Sequence, residues 1–408
     1  MFITYKNKKE EFEILNTPKA SLEIISGKGS KNKLIQGDNL SILQSLMKDY
    51  NLKGKIDLIY IDPPFATNTD FKIGDRTSTI SSSNLDEIAY SDTLIGDDFL
   101  EFLRERLILL RELLSERGSI YLHIDYKIGH YVKLIMDEVF GVKNFRNDIT
   151  RIKCNPKNFH RKAYGNVKDM ILFYTKNGNP IWNDPRVAFS NEDEERLFKK
   201  TDKDGRKYTT IPLHAPGETT KGNTGKEWRG VKPPKGRHWR TDPKILEEWD
   251  KEGLIEWSKN DVPRKKIYID ERDGKKTQDI WEFKDPQYPN YPTEKNLNLL
   301  KFIISASSNK DSIVLDCFCG SGTTLIGAQE LDRNWIGIDQ SEQAIKVIKE
   351  RLNKIQNGFF SKKDYEFIIE GKELIHPKYT IEDMVKGITK KNRHKEVDWG
   401  PPRGKEVW

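Results

Sequence analysis

The chain has 408 residues, of which 36% are hydrophobic and 33% are charged. The length fits two or three domains of ~100–200 residues each, and the composition excludes a wholly disordered chain. No apolar run approaches the ~18 residues of a membrane helix, and the first residues lack the pattern of a secretory signal. We therefore expect a cytoplasmic protein that binds no membrane.

Cysteine and histidine usage argues against disulfides and metal. The three cysteines are Cys154, Cys317 and Cys319, too few and too irregularly placed for a disulfide framework. The seven histidines do not cluster with Cys, Asp or Glu at metal-ligand spacing, so we expect no bound metal.

Positive charge is concentrated in the middle of the chain. The net charge is +7, and residues 151–290 alone hold 31 Lys and Arg against 23 Asp and Glu. The same block carries six of the nine tryptophans. A basic, aromatic-rich block suggests a region that binds a polyanion. The alternative is a solvated charged face above ordinary core tryptophans.

Strands and helices alternate in two stretches, separated by this irregular block. We predict an N-terminal arm (1–30), a first α/β stretch (31–150), the irregular block (151–290), a second α/β stretch (291–357) and a C-terminal extension (358–408). Residues 66–97 are rich in Thr, Ser, Asp and Gly and are predicted to form a long loop. Hydrophobic periodicity predicts strands at 34–35, 56–61, 119–124, 313–315 and 335–338, and helices at 39–48, 99–114, 129–139, 297–305, 323–331 and 342–355. Gly118 is predicted to cap the second of these helices.

One constellation of chemical interest is Asp316–Gly322, between a predicted strand and a predicted helix. Its two glycines let the backbone turn sharply and approach a ligand. Asp339 ends the next strand, where an acid can accept two ribose hydroxyl groups. The third glycine of the dinucleotide fingerprint is missing and Asp316 would repel a pyrophosphate, so the pattern favours a ligand with a positive amino group. The alternative is a tight turn beside a surface Asp.

The second constellation, Asp62-Pro63-Pro64-Phe65, ends another predicted strand. A proline has a carbonyl but no N–H, so the tetrapeptide offers a carboxylate and a rigid backbone acceptor next to an aromatic face. These groups suit a flat heterocycle with an exocyclic amine. A simple strand-terminating turn is the alternative.

With these motifs the chain resembles the amino-methylating DNA methyltransferases that use S-adenosyl-L-methionine. Asp62–Phe65 is similar to their catalytic tetrapeptide, Phe318–Gly322 to their Phe-x-Gly-x-Gly cofactor motif, and Tyr291–Lys295 to the segment that leads into that motif. The order of the motifs is that of the permuted β group, in which the target-recognition region lies between them.

The resemblance implies a fold and a division of the chain. The fold is an α/β, Rossmann-like methyltransferase with a doubly wound, mostly parallel sheet and an inserted, irregular target-recognition domain that binds DNA. Residues 31–150 would form the catalytic half and residues 291–357 the cofactor-binding half, with target recognition at 151–290.

The resemblance also implies roles for individual residues. The catalytic residues would be Asp62, Pro63, Pro64 and Phe65. The residues of the cofactor site would be Asp316, Gly320 and Gly322 at the methionyl end, Phe318 of the cofactor motif, Asp339 at the ribose, Asp38 near the adenine, and Thr293 and Lys295 on its other side. This chain departs from the family in two places, with Phe65 for the commoner Tyr and Asn296 where proline often follows the lysine.

The chemistry follows from the nature of an adenine amine, whose lone pair is delocalised into the ring. Asp62 and the Pro63 carbonyl can accept its two N–H groups, which frees the lone pair, and the carboxylate stabilises the developing positive charge. The base must leave the duplex to be reached, and stacking on Phe65 would offset part of that cost. No cysteine lies in a Pro-Cys loop, which excludes the cytosine-C5 route.

The sequence therefore predicts a sequence-specific DNA adenine-N6 methyltransferase acting on double-stranded DNA. Cytosine-N4 methylation on the same scaffold and a catalytically inactive nucleic-acid-binding protein of this fold are the alternatives, and the acid at position 62 favours adenine. The recognised DNA sequence stays open, as does a separate restriction endonuclease as partner. Because dimerisation is common in the group, the resemblance favours a homodimer.

Overall fold

The computed structural model describes residues 3–64, 69–73, 87–92, 96–156, 162–259, 262–287, 294–356 and 364–371. The helices of these residues are α1 Glu11–Leu15, α2 Asn39–Lys48, α3 Asp97–Leu113, α4 Gly129–Phe140, α5 Asn191–Leu197, α6 Pro243–Lys251, α7 Leu297–Ser307, α8 Thr323–Glu330 and α9 Glu342–Gln356. The strands are β1 Leu22–Ser26, β2 Asn32–Gln36, β3 Ile56–Ile61, β4 Thr69–Ile73, β5 Glu87–Asp92, β6 Leu114–Ile124, β7 Phe145–Ile152, β8 Lys168–Thr175, β9 Arg186–Val187, β10 Lys200–Thr201, β11 Lys207–Pro212, β12 His214–Pro216, β13 Arg237–Trp239, β14 Ile255–Trp257, β15 Pro263–Tyr268, β16 Lys275–Lys276, β17 Ile280–Glu282, β18 Ile313–Asp316, β19 Asn334–Asp339 and β20 Tyr365–Glu370.

The fold is organised around a ten-stranded sheet in the order β1-β20-β2-β19-β18-β3-β6-β8-β7-β17. Within it only β1 and β8 run against the other strands. Sequential strands alternate with helices, and parallel neighbours need such crossover connections. The predicted mostly parallel α/β sheet is confirmed.

Helices cover both faces of this sheet, as the doubly wound prediction requires. One core contains Leu43 of α2, Leu107 of α3 and Ile135 of α4, and the other contains Ile303 of α7, Leu325 of α8 and Ile345 of α9. Successive residues of β3 divide between the two cores, with Leu58 and Tyr60 on one side and Ile59 and Ile61 on the other. A strand segment buried on both faces has to be apolar, which explains the hydrophobic run from Leu58 to Ile61.

The sheet extends beyond the predicted α/β stretches. β1 and β20 lie outside residues 31–357, in the predicted arm and extension, yet they pair with each other at one end of the sheet. β8 and β17 lie inside the predicted target-recognition block, yet they belong to the same sheet. The predicted boundaries at 30, 150, 290 and 357 therefore do not coincide with the limits of the sheet, because each of these strands is short or adjoins irregular segments.

Two local predictions also differ from the structure. Gly118 does not cap α3, which ends at Leu113, but lies buried within β6. Strand pairing with β3 takes over immediately after the helix, starting at Leu114. Residues 66–97, predicted to be a loop, include the antiparallel pair β4–β5.

Residues between β8 and β17 form a module with a small core of its own. A four-stranded sheet in the order β10-β11-β15-β14 and the pair β12–β13 build most of it. Trp228 and Trp239 are buried in its core, and Trp249 and Trp257 pack against that core. These four tryptophans are core residues, so their indole rings are not available to a polyanion, whereas the exposed cations of the module are.

Neither a membrane span nor a metal cluster occurs in the described part of the chain. None of its helices combines the length and the apolar character needed to cross a bilayer. Its His, Cys, Asp and Glu side chains form no group of three or more that could hold a metal ion.

Adding a methyl group at Gly118 tests the close packing of β6. A Cβ there would lie 2.7 Å from Leu114 Cγ and 2.9 Å from the Ile56 carbonyl oxygen. We expect Gly118→Ala to lower the free energy of unfolding in urea by about 1–3 kcal/mol. Gly178→Ala is the matched control, because no atom lies within 4 Å of its added Cβ. An equal effect of the two substitutions would contradict the packing described here.

Candidate active site

Four acidic residues lie at one edge of the main sheet, each at or just beyond the carboxyl end of a strand. Asp38 follows β2, Asp339 ends β19, Asp316 ends β18 and Asp62 follows β3. These strands are consecutive neighbours in the sheet and run parallel. Because parallel strands end at the same edge, residues distant in the chain meet there, which is where open α/β sheets bind ligands.

Asp316 is buried, and its two carboxyl oxygens are held by the loop and helix that follow it. The Phe318 N–H donates to Oδ1 at 3.0 Å, and the Thr324 hydroxyl donates to Oδ2 at 2.6 Å. Burial raises the pKa of Asp316 to about 7, and the nearby carboxylates of Asp62 and Asp339 act in the same direction. A cationic group placed beside Asp316 would compensate both the burial and the nearby negative charges. The site therefore favours a positively charged ligand.

The glycines of this loop fix its conformation and join it to Asp339. Gly320 and Gly322 have φ of +46° and +75°, a region that disfavours side chains with a Cβ. The Gly320 N–H donates to Asp339 Oδ2 at 2.8 Å, and the Ser341 N–H donates to Oδ1 at 2.9 Å. Burial nevertheless raises the pKa of Asp339. Two predicted cofactor residues, Gly320 and Asp339, are thus in direct contact.

Asp62 lies at the same sheet edge, in contact with a lysine from a segment distant in the chain. Its Oδ2 is 2.5 Å from Lys295 Nζ, and the side chains of Asp62 and Lys295 are 16% and 9% exposed. Its Oδ1 is buried and has no hydrogen-bond partner among the described residues. The sequence did not predict this contact, because it assigned Lys295 to the cofactor's adenine.

The rest of the catalytic tetrapeptide is described only in part. Pro63 is buried and Pro64 is half-buried. Phe65 lies outside the described residues, as does Thr293. Their predicted roles therefore stay predictions from the sequence.

Asp38 begins α2 and pairs with an arginine that the sequence did not single out. Its carboxylate accepts the Ser41 N–H, and its Oδ1 lies 3.1 Å from Arg106 Nη2. The Arg106 guanidinium also donates to Asn39 and lies 3.6 Å from the centre of the Phe102 ring. The sequence contained a signal for this pair, since Arg106 stands inside the leucine-rich stripe of α3 and a buried arginine needs a partner.

Phe318 and Asn39 complete this end of the site. The Phe318 ring lies 6.0 Å from that of Phe102, so the aromatic residue of the cofactor motif packs beside the Arg106 cluster. The Asn39 side-chain amide donates to the Cys317 carbonyl at 2.8 Å. The loop after β2 and the loop after β18 are thereby tied together.

The two cysteines of the loop are poor nucleophiles. Cys317 and Cys319 are buried, and burial raises the pKa of both thiols well above the ordinary value. A thiol kept protonated in this way cannot attack a pyrimidine ring. The arrangement agrees with the exclusion of the cytosine-C5 route.

A buried polar chain lies behind Asp62, within β3, β6 and β8. The Tyr60 hydroxyl is 2.8 Å from His123 Nδ1, and His123 Nε2 is 3.1 Å from Asp169 Oδ2. Asp169 also pairs with Lys153 at 2.6 Å and with Arg151 at 3.5 Å. Burial lowers the pKa of His123, so the ring is neutral at physiological pH. The sequence signal for this hydrogen-bonded network was His123, a polar residue inside an otherwise apolar run of β6.

A second arginine connects the segment before α7 to the loop at 317–322 between β18 and α8, which we call the cofactor loop because it carries the predicted cofactor motif. Arg351 of α9 pairs with Glu294 at 2.9 Å and donates to the Ser321 carbonyl at 2.9 Å and the Thr323 hydroxyl at 3.1 Å. Asn296, where the family often has proline, begins α7 and accepts the Asn298 N–H at 2.9 Å. The departure from the family pattern thus supplies a helix N-cap.

The chain was compared with known proteins. A family model described as DNA methylase matches residues 56–350. The type II methyltransferase M.EcaI of Enterobacter cloacae is 42% identical over 327 residues, which are 79% of this chain and 69% of that protein. The type II methyltransferase M.HpaI of Haemophilus parainfluenzae is 40% identical, over 81% of this chain and 76% of that protein.

More distant relatives are considerably longer than this chain. The type III restriction-modification enzyme EcoPI Mod subunit of Escherichia phage P1 is 28% identical over 82% of this chain. The match spans 60% of that subunit, and matches to other type III Mod subunits span 50–55% of theirs.

Replacing Asp316 with asparagine should change how stability depends on pH. The pKa of Asp316 lies near 7 in the folded chain, above its ordinary value of 3.8, so the folded chain holds the proton more tightly. The contribution of Asp316 to wild-type stability therefore falls as the pH rises from about 4 to about 7. We expect the change in unfolding free energy on Asp316→Asn to be more favourable at pH 8 than at pH 5.5, by about 2 kcal/mol.

Urea unfolding at the two pH values measures this difference. Asp148→Asn, which alters an exposed carboxyl on β7, is the matched control and should give the same change at both. The same pH-independent change for Asp316→Asn would contradict a buried, proton-binding carboxyl.

Proposed function

This chain belongs to the DNA methylase family, and we propose that it is a sequence-specific enzyme that transfers a methyl group from S-adenosyl-L-methionine to the N6 amine of an adenine flipped out of double-stranded DNA. The observation that carries the proposal is the position of Asp62. Its buried Oδ1, which has no hydrogen-bond partner among the described residues, lies at the same sheet edge as the acidic cluster around Asp316. An acceptor for an amine and a group of carboxylates for a cation are therefore at the same edge.

The residues at this edge fit S-adenosyl-L-methionine. Asp316 would face the cationic methionyl end, with the Gly320–Gly322 backbone close enough for contact because no Cβ intervenes. Asp339 would accept the ribose hydroxyls, and Asp38, Phe318 and Arg106 would lie towards the adenine ring. When bound, S-adenosyl-L-methionine supplies a methyl group on a sulfonium centre, which an amine can attack.

The chain's own residues would prepare the amine. Asp62 Oδ1 accepts one N–H, and the Pro63 carbonyl is the candidate acceptor for the other. These hydrogen bonds favour a tetrahedral nitrogen whose lone pair is no longer shared with the ring. As the N–C bond forms at the expense of the C–S bond of the methyl donor, which leaves as a neutral thioether, positive charge would develop on nitrogen, and the carboxylate beside it would stabilise that charge. The surplus proton then leaves the nitrogen towards Asp62.

Adenine-N6 is the proposed target because the acceptor at position 62 is a carboxylate. The resemblance supports this choice, since the cytosine-N4 members more often have Ser there. The similarity to type III Mod subunits supports a role in restriction–modification, in which a separate restriction endonuclease would cleave unmethylated sites. A homodimer stays a prediction from the resemblance.

The module between β8 and β17 is proposed to recognise the DNA sequence. Lys235 and Arg237 are exposed in and beside β13, and further exposed cations follow along the same segment at Lys226, Lys232 and Arg240. Lysine and arginine at such positions contact phosphates, while a few arginines read base edges.

The proposed reaction is tested by incubating the chain with radiolabelled S-adenosyl-L-methionine and duplexes of defined base content. We expect methyl transfer to duplexes of mixed sequence, with N6-methyladenine as the product detected by mass spectrometry after digestion. Duplexes without adenine should remain unlabelled. Label on such duplexes, or N4-methylcytosine in the digest, would contradict the adenine assignment.

Asp62→Ala tests the role of the carboxylate within the same assay. We expect turnover to fall by at least about a thousandfold, because both the acceptor and the stabilising charge are removed. Cofactor binding, measured by calorimetry, should stay within about threefold of wild type. Loss of cofactor binding by Asp62→Ala would mean that Asp62 belongs to the cofactor pocket instead.

Reversing two charges tests the proposed DNA surface. We expect Lys235→Glu combined with Arg237→Glu to weaken DNA binding at least tenfold at low salt and to flatten its salt dependence, since fewer counterions are released. Lys143→Glu is the matched control, because Lys143 is exposed just before β7, at the opposite edge of the sheet from Asp62. Unchanged affinity of the double variant at two salt concentrations would contradict the proposal.

A further inference from the structure

The two oxygens of the Asp62 carboxylate have different surroundings. Oδ2 is 2.5 Å from Lys295 Nζ, whereas Oδ1 is buried and has no hydrogen-bond partner among the described residues. A buried acceptor without a partner costs ~1–3 kcal/mol. A substrate amine that donates to Oδ1 would remove that cost, so the asymmetry favours binding of an amine at one particular oxygen.

The carboxylate could leave this orientation by rotation about its last bond. The terminal torsion of an aspartate is broad and its two oxygens are chemically equivalent, so its own rotamer preference does not fix the plane of the carboxylate. An ammonium group 2.5 Å from one oxygen does fix that plane, and with it the direction of the second oxygen, because a charge-assisted hydrogen bond is roughly twice as strong as a neutral one. Lys295 therefore acts as an orienting partner for Asp62.

The backbone around Lys295 is itself held on both sides. Glu294 pairs with Arg351, which also donates to the Ser321 carbonyl of the cofactor loop. Asn296 begins α7 through its side-chain contact with the Asn298 N–H. These contacts fix the backbone at Lys295 relative to the cofactor loop on one side and to helix α7 on the other.

We propose that Lys295 is a positioning residue for methyl transfer. It binds Asp62 Oδ2 and keeps Oδ1 directed to the amine of the target base, while its own backbone is fixed relative to the cofactor loop. The inference rests on the proposed function, because it assigns Asp62 Oδ1 to that amine. It differs from the role that the family resemblance implies for Lys295, which is contact with the cofactor's adenine.

The two roles predict different kinetics. A positioning residue affects the rate of the chemical step at saturating cofactor and DNA, and a displacement of ~1 Å at a reacting group can cost ~100-fold. A residue that only contacts the cofactor affects its affinity and leaves the saturated single-turnover rate unchanged.

The experiment compares Lys295→Gln, Lys295→Arg and Lys301→Gln in the full chain. Lys301 is the matched control, because it also pairs with a carboxylate, Glu330, but lies on α7 away from Asp62. We expect Lys295→Gln to lower the single-turnover rate about 10- to 100-fold, with cofactor and DNA dissociation constants within threefold of wild type. Lys295→Arg should recover at least part of the rate, since it restores the cation, and Lys301→Gln should match wild type.

Three results would overturn the inference. They are an unchanged single-turnover rate for Lys295→Gln, a loss that appears only as weaker cofactor binding, and a loss that the arginine variant does not relieve at all although both variants unfold at the wild-type temperature. Wild-type chain that methylates no duplex would instead reject the proposed function, so the two failures are distinguishable.

Discussion

Charge repulsion at one sheet edge is the constraint on which this structure depends. Parallel strands bring their carboxyl ends together, and here four neighbouring strands each bring an aspartate to that edge. Like charges gathered in a partly buried space destabilise the fold unless each is neutralised, paired or hydrogen-bonded. Burial raises the pKa of Asp316 and of Asp339, and the nearby carboxylates of Asp62 and Asp339 add to the effect at Asp316, where a cationic ligand would relieve it.

Each aspartate has a different means of compensation. Asp38 pairs with a buried arginine, Asp62 with a buried lysine, and Asp339 accepts two backbone N–H groups. Asp316 accepts one hydroxyl and one N–H among the described residues, and burial raises its pKa to about 7. Contacts within the chain therefore compensate Asp38, Asp62 and Asp339 more fully than Asp316. A bound cationic ligand would complete the compensation of Asp316.

The sequence predicted the elements that carry the motifs. The hydrophobic run of β3, the strands β18 and β19 and the helices α2, α8 and α9 were all readable, because burial on both sheet faces and helical periodicity leave strong local patterns. The ion pairs with Arg106, Lys295 and Arg351 were not readable, since each joins residues far apart in the chain. The strands β8, β17 and β20 were assigned to other regions because their neighbours in the chain are irregular, although their partners in space are not.

The module between β8 and β17 leaves the sheet from β8 and returns to it at β17, two positions away in the strand order. Both attachment points are therefore set by hydrogen bonding within the sheet and not by anything inside the module. The entropy of closing an intervening segment grows only slowly with its length, by ~0.6 kcal/mol for each doubling. Modules of quite different size could thus be exchanged between the same two anchors, without disturbing the four aspartates at the carboxyl ends of β2, β19, β18 and β3.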